Sequence, residues 1–356
     1  MTAEYGTMMR FLLSVGILFQ GCDADVKCMN DAGDVVDWYI LYKLSKGSEN
    51  GLSYLYMDEG TKGWIRSREK INSNTGTLAN TLKPLFDYYA RKTEGFGYML
   101  YNDQPPTGNA PSSFGHSKGV VMLDRQTGVW LSHSTPKFPK DHRTLWPDSA
   151  NNNAQTFMCV TYSYDTFNEI GLQLKYIHAY SFDSDIPTTF HNELRCVAQR
   201  NCYPNKAPWY RVKKLTSLAE KQFLSFAKYK CFGDDLYSGL IVNDLQQDLY
   251  VKSWGKMKCA LLSNCNTKIS HPVYNVKKVW LLSEKPISYT VDHSKWCVTT
   301  GGGWTCLADM NREVSQMSRG GGVICTNDAK VGRAFYAMIR QHETCKHEAE
   351  FERREL

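Results

Sequence analysis

The chain has 356 residues, 42% hydrophobic and 22% charged, which excludes a disordered polypeptide and exceeds the length of one typical domain. Forty-two Lys and Arg against 36 Asp and Glu leave a formal charge of +6, which permits an anionic partner without demanding one. An aromatic share of 13% suits a β-rich core or a stacking surface.

In chain order, Arg10 precedes an apolar run from Phe11 to Phe19, and Cys22-Asp23-Ala24 follows. This is a signal-peptide layout over residues 1–24, cleaved after Ala24, with Met8 or Met9 as the alternative start. The run is about half the ~20 residues of a spanning helix, and no later segment has 18 uncharged apolar residues, so no membrane anchor is expected. Val35 to Leu44 reads as a strand, and so do Gly97 to Tyr101 and Thr156 to Tyr164. Gly119 to Asp124 and Val129 to Ser132 flank a Gln126-Thr127-Gly128 turn and read as a hairpin. Helical patterning appears at Thr77 to Ala90, Ser217 to Lys230 and Ala329 to Gln341. Asp183 to Tyr210 reads as a long loop and a seam. The class is therefore α/β or α+β with a mixed sheet, in an N-terminal half, residues 25–205, and a C-terminal half, 206–356.

Removal of Cys22 with the signal leaves eleven cysteines. In an oxidising compartment most should pair, and the odd count leaves one thiol free or one intermolecular bridge. There is no CxxC and no zinc-finger spacing. There is also no Asn-x-Ser/Thr sequon.

One internal repeat carries chemistry. Gly115-His116-Ser117-Lys118 is followed by Gly128-Val129-Trp130 and His133-Ser134; Asp292-His293-Ser294-Lys295 is followed by Gly302-Gly303-Trp304 and Asp309-Met310-Asn311. Ser134 and Asn311 each lie 18 residues after their histidine. On a strand, residues i and i+2 share a face, so each His-x-Lys points one imidazole and one ammonium the same way. Two such pairs brought together fit a phosphodiester. The lysines neutralise the phosphoryl oxygens, one histidine attacks phosphorus, and the other protonates the leaving oxygen and then activates water. Such a pocket needs no metal and no other cofactor. It requires one neutral and one protonated imidazole, which favours an acidic optimum, and Asp292 beside His293 should raise that histidine's pKa.

Other candidates rank lower. His133 and Ser134 line the pocket or end a strand. Asp234-Asp235 holds a metal or, more simply, caps a helix or turn. Arg319-Gly320-Gly321-Gly322 offers backbone N–H groups to phosphate. His178, His191, His271, His342 and His347 are expected at the surface.

Val36-Asp37-Trp38 leading to Tyr42-Lys43-Leu44, Tyr101-Asn102-Asp103, the two His-x-Lys motifs, Phe232-Gly233-Asp234-Asp235, and Trp304-Thr305-Cys306 with Asp309-Met310-Asn311-Arg312 together resemble the deoxyribonuclease II family of acid DNases, from about Cys28 to Cys345. Ile186 to Cys202 and Val273-Tyr274-Asn275-Val276 look more like the beta form, the DNase II-like acid DNase. The resemblance implies a relative of the phospholipase D fold, a pseudo-dimer of two related sandwich halves sharing one active site. It implies metal-independent cleavage of double-stranded DNA to 3′-phosphate and 5′-hydroxyl ends, a lysosomal or secreted location, and clearance of DNA from dead or engulfed cells. It implies His116, Lys118, His293 and Lys295 as catalytic residues, supported by Ser134, Asn311, His133 and Asp292, and the disulfides Cys28–Cys159, Cys265–Cys345 and Cys306–Cys325. Cys196, Cys202, Cys231, Cys259 and Cys297 remain, with Cys196–Cys202 sterically possible. The sequence departs from the phospholipase D pattern where Leu123 and Thr300 replace an Asp five residues after each Lys, and the missing sequon favours secretion over mannose-6-phosphate sorting. The rival readings are a phospholipase D-type phosphodiesterase acting on lipid head groups and a secreted nuclease-derived DNA-binding protein or toxin.

Overall fold

The computed structural model describes residues 26–255, 258–265, 271–282 and 286–345. The expected signal segment and His347 lie outside the described residues. β1 (Cys28–Met29) and β2 (Val35–Val36) form a small antiparallel ribbon. β3 (Trp38–Lys43), β4 (Tyr54–Asp58), β5 (Ile65–Arg66), β6 (Gly97–Asn102), β7 (Lys118–Leu123), β8 (Thr127–His133), β9 (Gln155–Ser163) and β10 (Ser181–Asp185) build an eight-stranded sheet in the order β10-β6-β7-β8-β9-β3-β4-β5. A second, nine-stranded sheet holds β11 (Tyr210–Thr216), β12 (Gln222–Lys228), β13 (Leu249–Lys252), β14 (Val273–Val279), β15 (Ile287–Ser288), β16 (Trp296–Thr299), β17 (Thr305–Ala308), β18 (Gly321–Thr326) and β19 (Ile339–His342). Its order is β11-β12-β18-β17-β16-β13-β14-β15, with β19 paired to β14. The helices are α1 (Thr77–Ala90), α2 (Thr166–Ile177), α3 (Asn192–Ala198), α4 (Val242–Leu245), α5 (Val314–Met317) and α6 (Ala329–Ala337). The protein is thus mixed α+β.

The central strands are buried on both faces, which is why β3, β7 and β9 read as apolar runs rather than alternating ones. Tyr39, Leu41, Val120, Met122 and Phe157 face α1 through Leu78, Leu82 and Leu85. Alternate residues Ile40, Tyr42, Val121, Trp130 and Met158 turn to a core shared with the second sheet, where they meet Leu174 of α2, Phe335 of α6, Phe223, Trp296 and Ile324. Beyond the second sheet a further core gathers Phe226, Tyr237, Ile241, Cys297 and Val323.

The sheets share a serial plan. β6, β7, β8 and β9 are sequential antiparallel neighbours leading into α2; β13, β16, β17 and β18 are antiparallel neighbours leading into α6. The strand beyond β9 is β3, ending in Lys43, and the strand beyond β18 is β12, ending in Lys228. Both lysines are buried and each donates to three carbonyls, those of Ala150, Asn151 and Asn153 for Lys43 and of Gln316, Met317 and Arg319 for Lys228. Burial lowers the ammonium of Lys43 to about 7 and that of Lys228 to about 8.

Cys28–Cys159, Cys196–Cys202, Cys265–Cys345 and Cys306–Cys325 are all bridged. Cys231 and Cys259 are exposed thiols and Cys297 is a buried one.

Several expectations are corrected. Residues 217–230 are not a helix but the turn and second strand of the β11–β12 hairpin, with Glu220 at φ 63°. Leu218-Ala219-Glu220-Lys221 form the turn, and β12 is ladder-bonded on both sides, to β11 and β18, a pairing that overrides the helical propensity of the stretch. Residues 183–210 contain part of β10 and all of α3, whose end is clipped by Cys196–Cys202. α6 stops at Ala337, and Ile339–His342 pairs with β14 instead. His178 is buried: it ends α2 at φ 56°, stacks on Phe114 and places Nδ1 3.0 Å from the Ser113 carbonyl.

Candidate active site

The chain passes through His116 just before β7 and through His293 just before β16. Each histidine is fixed by the opposite sheet. The His116 N–H donates to the Gly320 carbonyl, immediately before β18, at 2.9 Å. The His293 N–H donates to the Ala154 carbonyl, immediately before β9, also at 2.9 Å. The crossing is tight. A Cβ on Gly115 or Gly320 would lie 2.0 or 2.1 Å from the Ile177 carbonyl oxygen, so neither position accepts a side chain.

This crossing brings His116, Lys118, His293 and Lys295 into one charged cluster. His116 feels both Lys118 and Lys295, and His293 feels Lys295, Lys252 and Lys118. Burial is the main reason that both imidazoles are lowered to about 3; the ammonium groups add to it, while Asp103 opposes it at His116 and Asp292 at His293. Lys295 donates to the His293 carbonyl at 2.8 Å, and burial with the repulsion of Lys118 lowers it to about 7.

Around His116 the partners are ionic. Asp103, one residue beyond β6, is ion-paired to Lys118 and lies 3.4 Å from Arg319 and 4.0 Å from His116 Nε2. Burial pushes its carboxyl up, but the neighbouring His116, Lys118 and Arg319 outweigh it and hold it below the usual range. Arg319 reaches from the second sheet to the Phe114 carbonyl as well, at 3.1 Å. Around His293 the partner is aromatic: the Trp254 ring lies 4.5 Å away, centroid to centroid.

The expected supporting residues divide. Asn311 accepts from the Trp254 N–H at 3.1 Å and so places the ring against His293. Asp292 is fully buried and accepts from Tyr42 Oη at 2.8 Å and the Ser294 N–H at 3.0 Å, with Lys252 at 3.4 Å; it shapes the loop rather than touching the imidazole. With its amide turned to satisfy both neighbours, Gln155 donates to Ser134 Oγ at 2.5 Å, the Ser134 carbonyl at 2.9 Å and the His293 carbonyl at 3.3 Å, so Ser134 braces the second motif. His133 is buried between Phe138 and Phe157, and its Nδ1 accepts the Thr135 N–H at 3.2 Å. Leu123 is core, and Asp124 accepts the N–H groups of Gln126 and Thr127 in the turn. Asp235 is a cap and ion-pair residue, bonded to the Ser238 N–H at 2.9 Å and to Arg312 at 3.2 Å. Among the described residues no group of three His, Cys, Asp or Glu is arranged to hold a metal.

Sequence spacing missed Asp309. Gly119 opposes Ser132 and Trp296 opposes Leu307, so two residues further on Ser134 and Asp309 occupy matching places, not Ser134 and Asn311. The β16–β17 hairpin is two residues shorter, 11 residues from Trp296 to Leu307 against 13 from Gly119 to Ser132, because its strands are shorter, and this displaces the count. Asp309 is buried beside Lys118 and Lys295, and burial raises its carboxyl well above the usual range despite them.

A family model described as Deoxyribonuclease II matches residues 27–345. Plancitoxin-1 of Acanthaster planci is 36% identical over 340 residues, 91% of this chain and 94% of that protein. Deoxyribonuclease-2-beta of Mus musculus is 37% identical over 333 residues, covering 90% and 93% of the two chains. Deoxyribonuclease-2-alpha of Mus musculus is 35% identical over 352 residues, covering 95% and 98%. The chain belongs to the deoxyribonuclease II family and is a nuclease of that hydrolase class.

Proposed function

We propose that this protein is an acid endodeoxyribonuclease that cleaves double-stranded DNA without a metal ion and leaves 3′-phosphate and 5′-hydroxyl ends. The observation that carries this reading is the single buried cluster of two imidazoles and two ammonium groups, one of each from either sheet. His116 attacks phosphorus, the P–O5′ bond breaks, and His293 gives its proton to the departing oxygen. His293 then takes a proton from water, whose oxygen displaces the His116 nitrogen and releases the 3′-phosphate. Lys118 and Lys295 hold the non-bridging oxygens in both steps. Free imidazoles lowered to about 3 are neutral at pH 5, so the incoming phosphodiester anion must recharge one of them. Lys295, lowered to about 7, carries its charge fully only in acid, which favours an acidic optimum.

The pattern of two related halves around a pseudo-dyad is supported by the shared strand order and by the reciprocal bonds from His116 and His293. The signal-like N-terminus and four disulfides support a lysosomal or secreted location, with DNA of dead or engulfed cells as the material degraded. No described helix is long and apolar enough to cross a membrane. Plasmid nicking at pH 5 in EDTA tests the reading. Nicking should persist; nicking that is abolished by EDTA and restored by Mg²⁺ overturns it. Cleavage of phosphatidylcholine in place of DNA would favour the lipid phosphodiesterase, and DNA binding without any cleavage the binding protein or toxin.

A further inference from the structure

Away from the His–Lys cluster, the surface carries a cationic concavity. Trp64, before β5, and Trp280, after β14, line a groove of about 460 Å³ with Lys62, Lys330, Arg333 and Arg340, and no carboxylate lines it among the described residues. Lys330 donates one N–H to the Glu59 carbonyl at 2.5 Å, a neutral acceptor that leaves its charge in place, while the Glu59 carboxylate accepts the Asp37 N–H at 2.8 Å. The four cations are therefore not neutralised by a described lining residue.

The aromatic walls are built differently. Trp64 is anchored, its ring 5.2 Å from Phe335 and edge-on to Tyr42 at 6.1 Å. Phe335 in turn touches Trp296, the residue after Lys295, at 5.2 Å. Successive strand residues face opposite sides, so Trp296 turns toward this groove's wall while Lys295 turns toward the pocket. Trp280 is 41% exposed, and the Arg340 guanidinium lies over its ring at 4.7 Å. None of the four pocket residues lines the groove.

We propose that this groove is a second nucleic-acid contact that takes a single-stranded stretch of DNA, with bases on Trp280 and Arg340 and phosphates on Lys62, Lys330 and Arg333. Unneutralised cations beside a planar aromatic ring match the alternation of phosphate and base along a single strand, and stacking on an indole or a guanidinium plane is tolerant of sequence. A lipid surface fits less well, because the guanidinium over Trp280 caps the ring that would have to enter the acyl layer. The proposal rests on the reading of the chain as a DNA-cleaving enzyme, to which it adds a grip on strands opened by nicking.

The test uses the full chain. Binding of a fluorescein-labelled oligothymidylate is measured in a His116→Ala background, so that cleavage does not intervene. Adding Arg333→Glu and Arg340→Glu should weaken binding at least tenfold and flatten its salt dependence, because the Arg333 phosphate contact is lost and both positions turn from positive to negative beside the strand. Adding Trp280→Ala alone, an exposed change that leaves the fold's melting temperature in place, should weaken it about five- to a hundredfold. In the chain with both pocket histidines, the same groove substitutions should leave hydrolysis of bis(p-nitrophenyl) phosphate unchanged. Undiminished oligothymidylate binding in the charge-reversed protein, or in folded Trp280→Ala if the former does not fold, overturns the proposal. So does loss of binding to phosphatidylserine vesicles with oligothymidylate binding intact. If the unaltered chain cleaves neither plasmid nor the small diester, the nuclease reading fails, whatever the groove binds.

Discussion

The two sides of the pocket share a frame and differ in filling. Tyr101 opposes Gly119 and Lys252 opposes Trp296, so Asp103 and Trp254 stand at matching places two residues further on. One histidine therefore has a carboxylate beside it and the other an indole face. A carboxylate stabilises the positive charge that His116 acquires as it bonds to phosphorus, whereas an apolar ring favours a His293 that gives up its proton readily. The difference supports His116 as nucleophile and His293 as acid and base, an assignment that symmetry alone leaves open.

The largest expected break is His116→Ala, which should lose ~10⁴-fold or more in kcat because no adduct can form. His293→Ala should lose ~10²–10⁴-fold on DNA but less on a p-nitrophenyl ester, whose leaving group needs no proton. Rapid-quench trapping under alkaline conditions should find phosphohistidine at position 116; an adduct at 293 would exchange the roles.

Next is the neighbour exchange. Asp103→Ala leaves Lys118 buried without its partner and should cost about 3–5 kcal/mol. Trp254→Phe keeps a ring against His293 and should cost no more than about 1.5 kcal/mol. Calorimetric melting separates the two, and equal losses would erase the contrast.

The pH dependence of stability sharpens the picture for both sides. Unfolded histidines take protons below about 6.5. The folded His116 and His293, lowered to about 3, do not. The unfolded state thus binds more protons between those values, and stability must fall as pH drops through that window. The melting temperature of the ligand-free protein should decline from pH 6.5 toward 3, and inorganic phosphate should offset the decline. A flat profile would mean that neither imidazole is held neutral.

The smallest effect concerns the disulfides. Cys159 and Cys325 occupy matching places, each four residues into β9 or β18, yet the first closes a separation of 131 residues and the second one of 19. Loop-closure entropy makes Cys28–Cys159 the more stabilising by about 1–2 kcal/mol. Paired Cys→Ala removals, compared by denaturant midpoints, check the ordering.

Much of this was legible in the sequence, and the reasons are local. Helix α1 shows its own periodicity, strands β6 to β9 stand out as short apolar and aromatic runs, and each His-x-Lys announces itself because its two residues lie two apart in the chain. Asp103 and Trp254 were not singled out, since their roles arise from strand pairing that no short window contains. Asp309 was masked by a hairpin two residues shorter than its counterpart, and β12 by a helical composition that pairing on both sides overrules. Arg319 was noted only for its glycines, while its guanidinium crosses to the other sheet.

The reciprocal backbone bonds, from His116 to Gly320 and from His293 to Ala154, also set a timetable for synthesis. The ribosome delivers His116 long before Gly320, so a nascent chain carries its first imidazole without the carbonyl that seats it. On the proposed mechanism, the seat of His116 is complete only when residue 320 has been made and docked, nearly at the end of translation. A chain cut between the sheets and allowed to separate should lose both bonds together.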